Sequence, residues 1–157
     1  MGREFALSCH LQSDCKTVRE WIMRPALFLH VAAPLVQFSA IGASEFPDKW
    51  AEGEYRGSMK LLGALPIGWQ AIIIEIPESD AGPLVLRDRG YGPMLRVWDH
   101  RIEAVPSELG GTLYTDRLRL DAGPFTPIAA FAVKQFFKHR QRRLRAADRT
   151  GFAQISL

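Results

Sequence analysis

Two neighbouring strands are predicted at residues 98–120, which read WDHRIEAVPSELGGTLYTDRLRL. On both sides of the connector Pro106–Gly111, charged residues alternate with apolar or aromatic ones, as in an antiparallel pair with one buried face. A hairpin that closes symmetrically about this connector, which is rich in turn residues, pairs His100 with Asp116 and Trp98 with Leu118. We therefore expect an imidazole and a carboxylate to face the same covering layer.

Length and composition predict one globular domain. The chain has 157 residues, of which 47% are hydrophobic and 24% are charged, which is ordinary for a soluble protein. We expect a core over 4–147 and a flexible C-terminal tail over 148–157. No apolar run is long enough to span a bilayer, so no transmembrane segment is predicted. The N-terminus lacks the pattern of a secretory signal, and a cytoplasmic location is expected.

The two cysteines do not indicate a disulfide framework or a metal site. Cys9 lies in a strand-like alternation of apolar residues, where a thiol behaves as a small buried hydrophobe. A metal site would use Cys9, His10 and Cys15, but neighbours on a strand point to opposite faces and no fourth ligand is near. No metal and no cofactor are therefore expected.

Positive charge is concentrated near the end of the chain, although the net charge is only +3. The cations of this basic run are Lys138, Arg140, Arg142, Arg143, Arg145 and Arg149. Cations complement the dipole at a helix C-terminus, so a solvated helix end is the favoured interpretation. No aromatic residues interleave with these arginines, and nucleic acid is not the expected partner. Docking on an acidic partner or membrane surface stays open as an alternative.

The order of predicted elements indicates an α+β domain. A strand at 5–12 is followed by two short helices, the second at 25–31. Further strands are predicted at 35–41, 54–62, 69–76, 84–89 and in the hairpin, but the isoleucine run at 72–76 hides which of its sides faces inward. A helix over 126–147 is apolar around most of its circumference up to Phe137, so it should be covered on several sides. We predict one curved antiparallel sheet of about six to seven strands wrapped around this helix.

Several local motifs follow one another in an order typical of a known superfamily. They are Gly92-Pro93, Trp98, His100, Thr112, Asp116, and Arg140 after Phe136-Phe137. Together they resemble the START-like helix-grip superfamily (SRPBCC), which includes lipid carriers, polyketide cyclases and birch-pollen-allergen-like proteins. Ile102 stands where such proteins often have a second histidine, so chemistry that depends on that histidine is absent here. The resemblance implies a cavity between sheet and helix for an apolar or aromatic ligand, without implying one reaction.

The expected cavity wall combines apolar side chains with a few polar groups, as most ligand pockets do. Its predicted apolar and aromatic members are Tyr55, Met59, Trp98, Tyr114, Phe131 and Phe136. His100 and Asp116 are expected to orient a carbonyl or hydroxyl group of the ligand, and Arg96 with Asp88 to do so near the mouth. The alternative is that the aromatic residues fill the core, and that His100 and Asp116 form a satisfied buried pair.

These patterns leave three hypotheses for function. The first is non-catalytic binding of a hydrophobic or aromatic small molecule. The second is a polyketide cyclase or dehydratase in which Asp116 fixes the tautomer of His100, His100 transfers protons, and Tyr114 donates to an enolate oxygen. No nucleophile with its own base is present to add to these candidate catalytic residues. The third is an interaction protein that docks through its basic helix end. Ligand identity and oligomeric state are not encoded in these patterns.

Overall fold

The computed structural model describes residues 2–156 and has the predicted α+β architecture. The strands are β1 (Arg3–Leu11), β2 (Val36–Ala40), β3 (Gly53–Leu61), β4 (Leu65–Glu75), β5 (Leu84–Asp88), β6 (Val97–Pro106) and β7 (Thr112–Asp121). The helices are α1 (Cys15–Ile22), α2 (Pro25–Ala32) and α3 (Thr126–Arg149), with one 3-10 turn at Gly123–Phe125. Within residues 2–156, none of the helices combines the length and the apolar character needed to cross a bilayer.

All seven strands belong to one antiparallel sheet in the order β1-β7-β6-β5-β4-β3-β2. The first strand therefore pairs with the last one, and the strands between follow one another as a meander. Helices α1 and α2 come directly after β1, and α3 packs against β1, β7 and α2. The predicted fold, a curved sheet around a long C-terminal helix, is confirmed.

The hairpin of β6 and β7 keeps the predicted faces, but its predicted register is wrong by two residues. His100 lies opposite Leu118, and Asp116 lies opposite Ile102. A shift of two residues leaves every side chain on the same face of a strand. His100 and Asp116 therefore still point to one side of the sheet, as diagonal rather than direct neighbours.

The connecting loop explains this shift. Strand β6 continues to Pro106, which pairs with Thr112, so that only five residues, 107–111, form the loop. Gly110 and Gly111 have φ angles of +82° and +70°, which side chains other than glycine rarely adopt. A Cβ atom on Gly111 would lie 2.1 Å from the carbonyl oxygen of Leu11, so this position also needs glycine for space.

Helix α3 buries one stripe of side chains. Phe137, Gln141, Leu144 and Asp148 recur at helical spacing and are all buried. The expectation that the apolar first half of the helix is covered on several sides is wrong, because this stripe turns the other face outward. Phe131, for example, is 68% exposed.

The segment after residue 147 is packed, which contradicts the predicted flexible tail for the described part of 148–157. The carboxylate of Asp148 accepts hydrogen bonds from the backbone N–H groups of Gln12 (2.6 Å) and Ser13 (3.1 Å), and so joins the end of α3 to the end of β1. Phe152 is 2% exposed and stacks on Trp21 with ring centroids 4.9 Å apart. Burial of this aromatic ring holds the segment against the core.

Candidate functional site

A cavity of about 950 Å³ lies between the sheet and α3. All seven strands and all three helices contribute residues to its wall, which is mainly apolar and partly open to solvent. The volume falls at the upper end of the range for small-molecule sites, roughly 300–1,000 Å³. The fold therefore encloses a space large enough for an apolar molecule.

A buried network of polar side chains forms part of this wall. Asp116 accepts hydrogen bonds at Oδ1 from His100 Nε2 (2.7 Å) and from the Tyr114 hydroxyl (2.9 Å). The side-chain amide of Gln141, on α3, donates to Asp116 Oδ2 (2.9 Å) and to the Leu7 carbonyl oxygen (2.9 Å). His100, Tyr114, Asp116 and Gln141 are each at most 7% exposed. The carboxylate thus joins β6, β7 and α3.

The protonation states in this network follow from burial and hydrogen bonding. Burial lowers the pKa of His100, because desolvation of an imidazolium outweighs its hydrogen bond with Asp116. Burial would raise the pKa of Asp116, but the hydrogen bond from His100 and the charge of Arg140 bring it below its ordinary value. At neutral pH the imidazole is therefore neutral and donates from Nε2 to an ionised carboxylate. Nδ1 keeps its lone pair, and none of residues 2–156 donates a hydrogen bond to it.

Asp88, at the end of β5, is a second carboxyl group on the cavity wall. Its Oδ1 accepts a hydrogen bond from the backbone N–H of Ile73 (2.9 Å). Burial raises the pKa of Asp88 to about 7 and outweighs this hydrogen bond and the charge of Arg140. Asp88 therefore changes its charge near neutral pH, whereas Asp116 stays ionised.

Replacing Asp88 with asparagine is expected to flatten the pH dependence of stability. The folded protein binds the Asp88 proton more tightly than the unfolded chain does, so the protonated side chain contributes to the free energy of unfolding. This contribution is fully present below the ordinary pKa of 3.8 and is lost as pH rises to about 7. We expect the wild type to lose roughly 1–3 kcal/mol relative to Asp88→Asn over this range, less than the full shift implies because the side chain is only partly buried. Urea unfolding of both proteins at a series of pH values measures this difference. Parallel pH profiles for the two proteins would contradict the prediction.

Arg140 is the one member of the basic run that lies buried, at 7% exposure. Its guanidinium carbon lies 4.6 Å from the ring centroid of Phe137 and 5.9 Å from that of Phe136. The interpretation of the whole run as a solvated helix end is therefore wrong for Arg140, because stacking on aromatic rings holds its charge inside. Nε of Arg140 is buried and has no hydrogen-bond partner among residues 2–156.

Most of the predicted ligand-binding residues border the cavity. They are Met59, Trp98, His100, Tyr114, Asp116 and Phe136. The sheet brings five of them together through the alternation of side chains on β3, β6 and β7, and α3 supplies the sixth. Their part in ligand binding stays a prediction.

Three predicted members of the wall lie elsewhere. The ring of Tyr55 packs on Trp50, with centroids 5.0 Å apart, and its hydroxyl donates to the Ala51 carbonyl oxygen (3.1 Å). Arg96 is exposed, and its guanidinium lies against Gly123. Phe131 is exposed on the outer face of α3. None of the three borders the cavity, because the expectation rested on residue type and strand parity and not on helix rotation or loop position.

Gln70 and Gln141 are polar residues of the wall that sequence reasoning missed. Gln141 was recognisable, since it follows Phe137 by four positions and so shares its face of α3. Gln70 belongs to the isoleucine-rich strand whose inward side was ambiguous. The structure turns Gln70, Ile72 and Ile74 toward the cavity, and Gln70 is 7% exposed with no hydrogen-bond partner for Nε2 among residues 2–156.

The remaining candidates for chemistry in the described part of the chain are metal-binding clusters and the two cysteines. Residues 2–156 contain no cluster of three or more His, Cys, Asp or Glu side chains that could hold a metal ion. Both cysteines are free thiols. Cys9 borders the cavity, but burial raises its pKa to about 12, so the thiol stays protonated and is not an activated nucleophile.

Solved structures with the same architecture identify the class of fold. A START superfamily protein from Mycobacterium smegmatis matches over 94% of this chain and 97% of its own, with a TM-score of 0.69 and 11% identity. Ara h 8.0201 matches over 96% and 99%, with a TM-score of 0.65 and 8% identity. The Zhui aromatase/cyclase from Streptomyces sp. R1128 matches over 94% and 92%, with a TM-score of 0.61 and 10% identity. The chain therefore has the START-like helix-grip (SRPBCC) fold, as its motifs predicted.

Comparison with models of protein families identifies the family of the chain. The model of the family described as "Domain of unknown function (DUF8410)" matches residues 10–147. The chain belongs to this family. No curated protein matches its sequence.

Proposed function

We propose that this protein binds a hydrophobic or aromatic small molecule in the cavity between the sheet and α3, without converting it chemically. The observation that carries the proposal is a cavity of about 950 Å³ whose mainly apolar wall holds one connected polar network. Burying apolar surface drives association, and a few polar groups then fix orientation. The START-like fold of the solved relatives is consistent with such a role.

The apolar part of the wall comes from distant parts of the chain. Ile72 and Ile74 on β4 border the cavity, as do Leu27 and Val31 on α2. Trp98 lies beside His100 on β6. Burial of an apolar molecule against such surfaces contributes about 25 cal/mol per Å² of apolar area removed from water. This contribution to binding does not depend on a chemical reaction, as expected for a carrier or a sensor.

The polar network favours orientation of the ligand over catalysis. Asp116 already accepts three hydrogen bonds, and the neutral imidazole of His100 offers one lone pair at Nδ1. A ligand hydroxyl group can donate to this lone pair. The Cys9 thiol on the cavity wall stays protonated and is not an activated nucleophile.

Native mass spectrometry of gently purified protein tests this proposal. We expect a non-covalent complex whose extracted small molecule is apolar, is recovered unchanged and binds again to the stripped protein. Ile72→Phe adds volume to a residue of the wall and should lower occupancy, whereas Ile128→Phe, at a site 72% exposed, should not. Equal occupancy in both variants, or a stripped protein that binds no apolar compound, would contradict the proposal.

A cyclase or dehydratase is the second candidate, and one observation favours it. The Nε2 atom of His100 is held by an ionised carboxylate while Nδ1 is open, which is the arrangement of a general base oriented by a second group. The hydroxyl of Tyr114 donates to the same carboxylate, so it does not point a free proton toward an enolate. Recovery of a chemically altered product after incubation with the extracted compound would support this candidate over the first.

The third hypothesis, docking through the basic run, has less support. Arg140 is buried, and Arg143 donates from Nε to the His30 carbonyl oxygen (2.9 Å). The remaining positive charge is spread along α3 at Lys138, Arg142, Arg145 and Arg149. No separate acidic partner is needed to explain the two engaged arginines.

A further inference from the structure

We propose that the ligand of this cavity is an apolar carboxylate whose charged group pairs with Arg140. This inference rests on the proposed binding function and specifies the chemical class of the ligand. It starts from two buried nitrogen atoms on the cavity wall that have no hydrogen-bond partner among residues 2–156, Arg140 Nε and Gln70 Nε2.

Both of these atoms are hydrogen-bond donors. A buried donor without an acceptor destabilises the folded state, and more so when the group is charged. Arg140 and Gln70 are each 7% exposed and both border the cavity, so an acceptor for their side chains has to come from inside the cavity. An occupant whose acceptor oxygens contact these two side chains reduces the cost.

Asp116 is not the missing partner of Arg140. Its Oδ1 already accepts from His100 and Tyr114, and its Oδ2 accepts from Gln141. Arg140 influences this carboxylate through its charge alone, and no hydrogen bond joins the two residues. The guanidinium rests on the ring of Phe137 and keeps the N–H groups in its plane available to an acceptor.

The charges around the cavity also favour an anion. The cations on its wall are the buried Arg140 and the exposed Lys138, Arg142 and Arg145, whereas the carboxylates are Asp88 and Asp116. Asp116 is ionised and already accepts three hydrogen bonds, and Asp88 carries only part of its charge at neutral pH. A low-dielectric space bordered by more positive than negative charge concentrates anions. A carboxylate accepts in the geometry that a guanidinium donates.

Calorimetric titration with matched pairs of compounds tests the inference. The pairs are decanoate with decanol, and naphthoate with naphthylmethanol, so that the members of a pair share an apolar part and differ in charge. We expect the wild type to bind each carboxylate about 10–100-fold more tightly than the alcohol, the range of a charge-assisted hydrogen bond. Arg140→Gln should bring this ratio close to one and leave affinity for the alcohols nearly unchanged.

Arg149→Gln is the matched control, since it removes the same charge from an exposed position of α3 that does not border the cavity. It should keep the selectivity of the wild type. Gln70→Leu removes a neutral donor and should weaken carboxylate binding by less than Arg140→Gln does. If Arg140→Gln does not fold, the ratio of carboxylate affinity to alcohol affinity in the wild type still tests the inference.

The outcomes of this experiment distinguish failure of the inference from failure of the proposed function. Equal binding of carboxylates and alcohols by the wild type overturns the inference and leaves the proposed function intact, with water as the partner of Arg140. Equal loss of selectivity in Arg140→Gln and Arg149→Gln also overturns it, because the effect is then one of net charge. Absence of binding for all four compounds overturns the inference and the proposed function together.

Discussion

Replacing Phe137 with alanine is expected to lower the free energy of unfolding by about 3–5 kcal/mol. Phe137 is fully buried, and its ring contacts side chains from three parts of the fold. Its centroid lies 4.9 Å from that of His100, 5.8 Å from Trp98 and 6.0 Å from Phe5, and the guanidinium of Arg140 stacks on it. Truncation leaves a void between α3 and the sheet that these neighbours cannot fill. Urea denaturation followed by circular dichroism measures the loss.

Phe131→Ala is the matched control, because it makes the same truncation six residues earlier on the same helix. Phe131 is 68% exposed, so we expect a change within about 0.5 kcal/mol. Similar losses for the two variants would contradict the prediction that the buried face of α3 carries Phe137 and not Phe131.

Replacing Asp116 with alanine is the second change expected to have a large effect, about 3–5 kcal/mol of lost stability. The substitution leaves His100, Tyr114 and part of the Gln141 amide without an acceptor inside the protein. It also removes the buried negative charge that acts on Arg140. Thermal and urea unfolding near neutral pH measure this loss. The exposed Asp80, which lies in the loop before β5, supplies the control Asp80→Ala, with an expected change within about 0.5 kcal/mol.

A double-mutant cycle separates the network from a general loss of packing. His100→Ala and Asp116→Ala share one hydrogen bond, so their effects should be less than additive by about 0.5–3 kcal/mol. Strict additivity would mean that the imidazole and the carboxylate act independently, and the network would then not explain the stability of this wall.

In the hairpin of β6 and β7, the sequence predicts the faces of the strands but not their register. Alternation along residues 98–120 predicts correctly that His100 and Asp116 share a face, because side-chain parity survives a shift of register by two. The register itself depends on the loop, where the positive φ angles of Gly110 and Gly111 set its length. Two adjacent glycines are compatible with several turn geometries, so the sequence does not select one.

Arg140 and Gln70 are features of the site that the sequence does not predict. Charged residues near the end of a helix are usually solvated, and nothing local in the sequence shows that Phe137 places a ring beneath Arg140. The isoleucine run of β4 is apolar on both sides, and only the pairing with its neighbouring strands turns Gln70 inward. The apolar wall was therefore predictable in outline, whereas its unsatisfied donors required the three-dimensional structure.

Strand β1 and helix α3 both contribute residues to the wall of the cavity. Since the first and the last element of the chain both border the cavity, the unfolded chain contains no site, and a ligand binds the folded form alone. At a concentration one hundred times its dissociation constant, such a compound adds about 2.7 kcal/mol to folding. For a chain of this length the melting temperature then rises by roughly 5–10 °C. Differential scanning fluorimetry against a library of metabolites can therefore search for a ligand without any assay of activity.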